Sequence, residues 1–260
     1  MVLPPVIFED ETIIAFDKPS GLPVSSDRWD KRTDTLMSRV REVMGKQVAN
    51  VHRIDEGASG IVLCAKTKPG VDFLSGQFQS KTVGVIFNAL VVLLTAEKAM
   101  KVIAPIRAET GLLPAAFDVE LSMIEDKDHP ERMRVSRKHG SKPGMTSIRT
   151  LEQFRGFAWV ECNPHTGRRH QTRLHLAAAG VPVLNDPLYG EASAELRLSS
   201  LKRGYKGYVE EKPLIQRLAL HAAGLSFLHP LTREPMNLSA GVPRDLEIAL
   251  KYLRKFAAVR

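Results

Sequence analysis

Cysteine is nearly absent from the chain: two in 260 residues, Cys64 and Cys162, far apart and each inside an apolar run. Two such cysteines cannot build a disulfide framework and lack the spacing of a metal knuckle. They read as core residues of a protein in a reducing compartment. Long hydrophobic runs are also missing. The longest, VGVIFNALVVLL (83–94), is broken by Asn88 and falls short of the roughly 20 residues a membrane helix needs. The N-terminus MVLPPVIFEDE has no basic start followed by an apolar stretch, so no signal peptide is expected and the predicted location is cytoplasmic. Neither G-x-x-x-x-G-K-[ST] nor G-x-G-x-x-G occurs, so nothing points to a nucleotide cofactor. Ser59 sits in ASG rather than a strand–turn–helix elbow, and neither cysteine has a basic neighbour, which disfavours a serine or cysteine hydrolase. No repeat or low-complexity segment is found.

What is present is an ordinary globular composition, 43% hydrophobic and 25% charged, with an excess of positive charge: 37 Lys and Arg against 29 Asp and Glu, or +8. Such an excess suits a polyanionic partner, nucleic acid first, though it also fits a protein that is merely basic and soluble. The stretch 6–24 predicts two short strands split by EDE. From Thr33, Leu36, Met37, Val40, Val43 and Met44 recur at helical spacing, with Gly45 near the end. Further strands are predicted at 61–65, 83–94, 115–123, 145–154 and 157–162. Helices are predicted through PGVDFLSGQFQS, over 169–179 before Gly180, and over 243–257, opened by Pro243. The mixture predicts an α+β fold on a large mixed sheet. Two basic stretches read as excursions from it. One is 125–144, with Arg132, Arg134, Arg137, Lys138 and Lys142. The other is 192–213, where basic residues alternate with Tyr205 and Tyr208. Each is either a solvated loop or a surface that tracks a phosphate backbone and stacks on bases.

Two dense stretches remain. In VHRIDEGASG (51–60), Arg53 and Asp55 stand before a glycine loop and an apolar strand, either as a structural ion pair or around a catalytic carboxylate. In NPHTGRRHQTRLHLAAAG (163–180), Arg169 and Arg173 would share one face of a helix. His165, His170 and His175 are five apart, which is wrong for a paired-histidine zinc helix, so no metal is expected. One of these arginines could meet Asp55, keeping the carboxylate ionised and nucleophilic. Composition and spacing go no further than a carboxylate enzyme acting on a polyanion.

The blocks themselves carry a resemblance. HRIDEGASG (52–60) resembles the HRLD-x-x-TSG motif of the RluA-type RNA pseudouridine synthases. In the right order come IIAFDKPSGLPV (13–24), similar to their DKP-x-G loop, then TGRRHQTRLHLAAAGVPVLNDPLYG (166–190), similar to their TGR-x-HQ-x-R-x-H segment and G-D-P-x-Y-G turn, and LALHAAGLSFLHPLTREPM (218–236), similar to their LHA…F-x-HP-x-T-x-E block. The resemblance implies one catalytic domain over 1–260. That domain would be a large, mainly antiparallel mixed sheet with flanking helices and loops around a central catalytic cleft, and the blocks leave no room for the small RNA-binding domain many relatives carry ahead of it. It implies isomerisation of uridine to pseudouridine in transfer or ribosomal RNA, with no metal, organic cofactor or membrane, and nothing demanding more than a monomer.

By the same resemblance Asp55 is the nucleophile and Arg173 the cation that holds its charge. Phe87 stacks on the target base, Arg53 holds the flipped nucleotide, and Leu174 packs beneath it. His52 and Arg169 complete the substrate-binding set, with Arg134 and Arg137 gripping RNA from the first basic stretch. Three positions depart from the family pattern: Ala58 replaces Thr, Phe87 replaces Tyr and Val85 replaces a basic residue. Phe87 can stack but cannot exchange a proton. These departures keep open a second reading, an RNA-binding protein of the same fold that has lost catalysis.

Overall fold

The computed structural model describes residues 2–26, 33–99, 101–106, 112–191, 194–205, 207 and 210–259. Its elements in chain order are β1 (Val6–Glu9), β2 (Ile13–Lys18), α1 (Leu36–Met44), β3 (Ala49–Asn50), β4 (Ser59–Ala65), α2 (Lys68–Ser80), β5 (Gly84–Val92), α3 (Ala96–Ala99), β6 (Ala116–Glu125), β7 (Met133–Val135), β8 (Lys142–Phe154), β9 (Phe157–Pro164), α4 (Gln171–Ala178), α5 (Leu198–Leu201), β10 (Leu220–Leu228), β11 (Pro235–Ser239) and α6 (Arg244–Phe256). The class is α+β, with few helices and mostly antiparallel strand pairing. The described residues form two compact units, one from 1–87 and 221–241, the other from 88–220 and 242–260.

In the first unit β2 and β4 pair antiparallel from Ile13↔Ala65 to Lys18↔Gly60. β1 adds to β2, while β10 pairs parallel with β4 at His221 and Ala222 and antiparallel with β11 from Gly224 to Leu228. The apolar runs of β2 and β4 show no polar alternation because both faces are covered. Ile14, Phe16, Val62 and Cys64 pack with Leu36, Met37 and Val40 of α1. Ile13, Ala15, Ile61 and Leu63 pack with Leu74 of α2 and with Leu225, Phe227 and Leu238. Helix α1 starts at Thr35, whose hydroxyl accepts from Ser38 N while the Ser38 hydroxyl accepts from Thr35 N. Gly45 closes the helix at φ 95°.

In the second unit β6, β8 and β9 form an antiparallel meander, and β7 pairs with β6 as a short edge. Helix α6 buries Leu246, Ala249, Leu250 and Leu253. Here the structure corrects the sequence reading. The stretch 125–144 is not a plain excursion. Its 133–135 pair back on β6, and its last residues already belong to β8. Three residues with an arginine at their centre carry no local strand signal, and the strand exists through its partner. Strands β10 and β11 were likewise absent from the predicted elements. In the second basic stretch Leu198–Leu201 is a single helical turn, and Tyr208 lies outside the described residues.

Candidate active site

The loop that carries Asp55 belongs to the first unit and is held by its backbone. Ile54 is buried in the α1-side core, anchoring the loop, while Arg53 is exposed and Asp55 half-buried. The Ala58 N–H donates back to the Asp55 carbonyl at 3.1 Å, closing the turn. The next three carbonyls all face the DKPSG loop. Lys18 Nζ donates to Glu56 O at 3.0 Å and Ala58 O at 2.7 Å, as well as to Pro19 O at 2.9 Å. Gly21 N donates to Glu56 O, and Ser20 Oγ donates to Gly57 O at 2.6 Å. Lys18 is 0% exposed. An ammonium at that depth persists only where strong acceptors replace its water, and here the loop's own peptide oxygens do so.

Behind the loop, β4 is locked to β10. Ser59 Oγ and His221 Nδ1 lie 2.9 Å apart, both buried. Gly60 adopts φ 110°, and a Cβ there would lie 2.2 Å from Ala222 O. Only glycine allows this approach. Ala58 is fully buried, and Phe87 is half-buried against the cluster to which Ile54 belongs. His52, expected in the substrate-binding set, makes contacts within the protein. Its ring stacks on Phe78 at 5.0 Å and its Nε2 accepts the Leu63 N–H at 3.0 Å. Burial lowers its pKa to about 4, so the neutral ring serves as an internal brace.

In the second unit Arg173 lies on α4, nearly buried. Its Nε donates to Asp186 Oδ2 at 2.7 Å and its Nη2 to Asp186 Oδ1 at 2.6 Å, a bidentate pair. Asp186 Oδ1 also accepts from Leu188 N and Tyr189 N, at 2.9 and 3.1 Å. Burial alone would raise the Asp186 carboxyl. The Arg173 hydrogen bonds and charge, with the two N–H groups, outweigh it and hold the pKa below 3.8. Asp186 is the residue the sequence reading missed. Its signal was the NDPLYG turn, quoted without a role for the aspartate.

The expected placement of Arg169 on one helix face with Arg173 is corrected. Helix α4 begins at Gln171, after His170 in the left-handed region, so Arg169 precedes the helix and does not share its face with Arg173. Its guanidinium donates to Pro130 O at 3.0 Å and Glu131 O at 3.3 Å, clamping the β6–β7 connection. Leu174 is buried at 8% exposure. Arg134 is half-buried on β7, with its Nε lacking a hydrogen-bond partner, and Arg137 is exposed. The three histidines diverge: His165 meets Ser147, His170 meets Tyr189, and His175 meets Thr146. Among the described residues no group of three or more His, Cys, Asp or Glu could hold a metal, and no helix is long and apolar enough to cross a membrane.

Residues 12–178 match the family described as RNA pseudouridylate synthase. Among characterised sequences, the chain is 30% identical over 253 residues to ribosomal large subunit pseudouridine synthase D of Neisseria meningitidis serogroup A, covering 96% of this chain but 61% of that protein. It is 31% identical over 257 residues to synthase D of Xanthomonas campestris pv. campestris, covering 97% and 70% of the two chains. Synthase C of Vibrio vulnificus matches at 30% over 249 residues, covering 96% and 69%. Among solved structures, human RNA pseudouridylate synthase domain containing 4 aligns with a TM-score of 0.68 at 22% identity over 96% of this chain and 92% of its own. Human RNA pseudouridylate synthase domain containing 1 aligns at 0.61 and 19%, over 98% and 96%.

Proposed function

Because this chain belongs to the RNA pseudouridylate synthase family, we propose that it isomerises uridine to pseudouridine in large-subunit ribosomal RNA, with Asp55 as the catalytic carboxylate. The substrate class follows the names of the relatives, which are ribosomal large subunit synthases C and D. In the reaction the bond from ribose C1′ to uracil N1 breaks and one from C1′ to C5 forms. The hydrogen on C5 leaves as a proton, and N1 gains one. Asp55 either adds to the sugar or assists loss of a proton from it, and Arg173 supplies positive charge to the reaction. Arg53 holds the flipped nucleotide, which must leave its stack before the bond is reachable. Phe87 stacks on the base, and Leu174 packs beneath it. Arg134 and Arg137 bind phosphates.

The observation that carries the reading is the inward-turned catalytic loop. Its peptide oxygens are engaged by Lys18, Ser20 and Gly21, while Arg53 and Asp55 stay at or near the surface. A loop held this way presents side chains in a fixed place, as a reaction needs. The test is tritium release from RNA labelled at uridine C5, drawn from cells lacking this protein and split into ribosomal and transfer fractions. Release from the ribosomal fraction by wild type and not by Asp55→Asn is expected. Equal release by both proteins would remove Asp55 from the chemistry, and release from the transfer fraction alone would change the substrate. The second reading, RNA binding without catalysis, rests on Phe87 and Ala58. It gains if wild type binds ribosomal RNA without release and Phe87→Tyr restores it.

A further inference from the structure

We propose that Tyr189 is a positioning residue that fixes the Arg173 guanidinium and ties it to the basic β6–β7 hairpin, so that RNA held by the hairpin and the catalytic arginine keep one register. The inference deepens the reading above, in which Arg173 serves the reaction and the hairpin binds RNA.

Three features of one side chain carry it. The Tyr189 ring lies under two guanidinium groups, Arg173 at 5.3 Å and Arg132 at 5.6 Å from its centre, both within the range of a cation–π attraction. Its hydroxyl oxygen accepts the Met133 N–H at 2.7 Å, at the first residue of β7, and stands 3.0 Å from His170 Nδ1. With the oxygen accepting from Met133, the hydroxyl proton is free to be donated to that nitrogen. Its backbone N–H donates to Asp186 Oδ1, the oxygen that also receives Arg173 Nη2.

The turn is built to close this circuit. Gly190 N donates to Asp186 O at 3.0 Å, and a Cβ on Gly190 would meet that oxygen at 2.4 Å. Only a residue without a side chain lets the chain fold back so tightly, and the fold-back returns the Tyr189 ring over Arg173. Asp186 therefore holds Arg173 at one edge and Tyr189 at its amide, and the ring lies beneath the same guanidinium. From the hydroxyl the same residue reaches the hairpin, whose connection Arg169 clamps at Pro130 and Glu131. The hairpin brings Arg132 onto the Tyr189 ring and carries Arg134 on β7, with Arg137 just beyond it.

The two halves of the tyrosine separate by substitution. Tyr189→Phe keeps the ring and releases Met133 and His170. The KM for ribosomal RNA should rise roughly three- to tenfold, the value of one or two hydrogen bonds, with kcat within twofold of wild type. Tyr189→Met keeps bulk and removes the ring, and kcat should fall about three- to thirtyfold, the range of a partly desolvated cation–π contact. A residue that only stabilised the fold would lower apparent kcat through the folded fraction in both variants and leave KM unchanged. We therefore take kcat per folded protein, and the KM rise in Tyr189→Phe is the change such a role would not produce. Amide exchange at Met133 is read in the same proteins and should quicken at least tenfold in Tyr189→Phe. The Arg173 Nε–H resonance should move in Tyr189→Met and hold in Tyr189→Phe. Unchanged Met133 exchange, or kcat and KM within twofold of wild type in both variants, would overturn the proposal. Absence of tritium release by wild type would instead sink the functional reading, and the two resonance measurements would still decide the positioning role.

Discussion

Acid should weaken this fold well before its carboxylates are protonated. His175 is buried and His52 half-buried, both as neutral rings, and desolvation lowers each pKa from 6.5 to about 4, against a smaller opposing contribution at His175 from the Leu121 carbonyl. Between those values the unfolded chain binds a proton that the folded chain refuses, so stability falls as pH drops from about 6.5 to about 4 and levels off below. For one such histidine the cost relative to high pH is about 2 kcal/mol at pH 5 and about 0.2 kcal/mol at pH 7. The pair together should remove about 3.5 kcal/mol over that interval, a large part of the roughly 5–15 kcal/mol typical of a folded protein. Asp186, held below its usual value, acts in a lower window, since its contribution is lost as pH falls through and below 3.8. The assay is urea unfolding of wild type, His52→Gln and His175→Gln at pH 7 and pH 5. Each variant should lose about 1.8 kcal/mol less than wild type on acidification. Equal losses in all three proteins, or imidazole protons titrating near 6.5 in the folded chain by NMR, would refute the reasoning.

Two further substitutions test the frame of the Asp55 loop. Gly60→Ala drives a methyl to 2.2 Å from Ala222 O at a φ of 110°, so the parallel β4–β10 pair must shift. A loss above about 3 kcal/mol is expected in denaturant unfolding, and a loss under 1 kcal/mol would show that the pair is not held so closely. Lys18→Met takes a donor from Pro19 O, Glu56 O and Ala58 O, of which Glu56 O keeps Gly21 N. Buried carbonyls left unmet cost about 1–3 kcal/mol each. Faster exchange at the Ala58 amide and a fall in tritium release are expected, and wild-type exchange there would dismiss Lys18 as the loop's anchor.

Much of the fold was readable because its strongest elements announce themselves locally. β2 and β4 are apolar on both faces, and α1 and α6 carry helical periodicity with start and stop residues at their ends. What could not be read depends on distant partners. β7 is three residues long and exists by pairing with β6. Helix α4 was expected two residues too early because nothing local shows that His170 turns left-handed at φ 55°. The contacts of His52 could not be read locally either, since its ring nitrogen meets Leu63 and its ring stacks on Phe78. Lys18 looked like an ordinary loop lysine, and two of its acceptors are 38 and 40 residues away.

The same distinction sorts the blocks that made the family recognisable. Arg53 and Asp55 stay at or near the surface, where side chains can act on a substrate. Lys18 and Ser20 spend their polar atoms on the carbonyls of the Asp55 loop. Ser59, Gly60 and His221 fasten β4 to β10, and Asp186, Tyr189 and Gly190 fold a turn around Arg173. Most of the polar residues in these blocks therefore act on the protein's own backbone or charges. On the proposed reading, that division leaves room for Ala58 and Phe87. Ala58 still fills a fully buried position, and Phe87 still packs against the cluster that anchors Ile54. The frame that holds Asp55 in place is built from Lys18, Ser20, Gly21 and the β4–β10 pair, and it needs neither a hydroxyl at position 58 nor one at position 87.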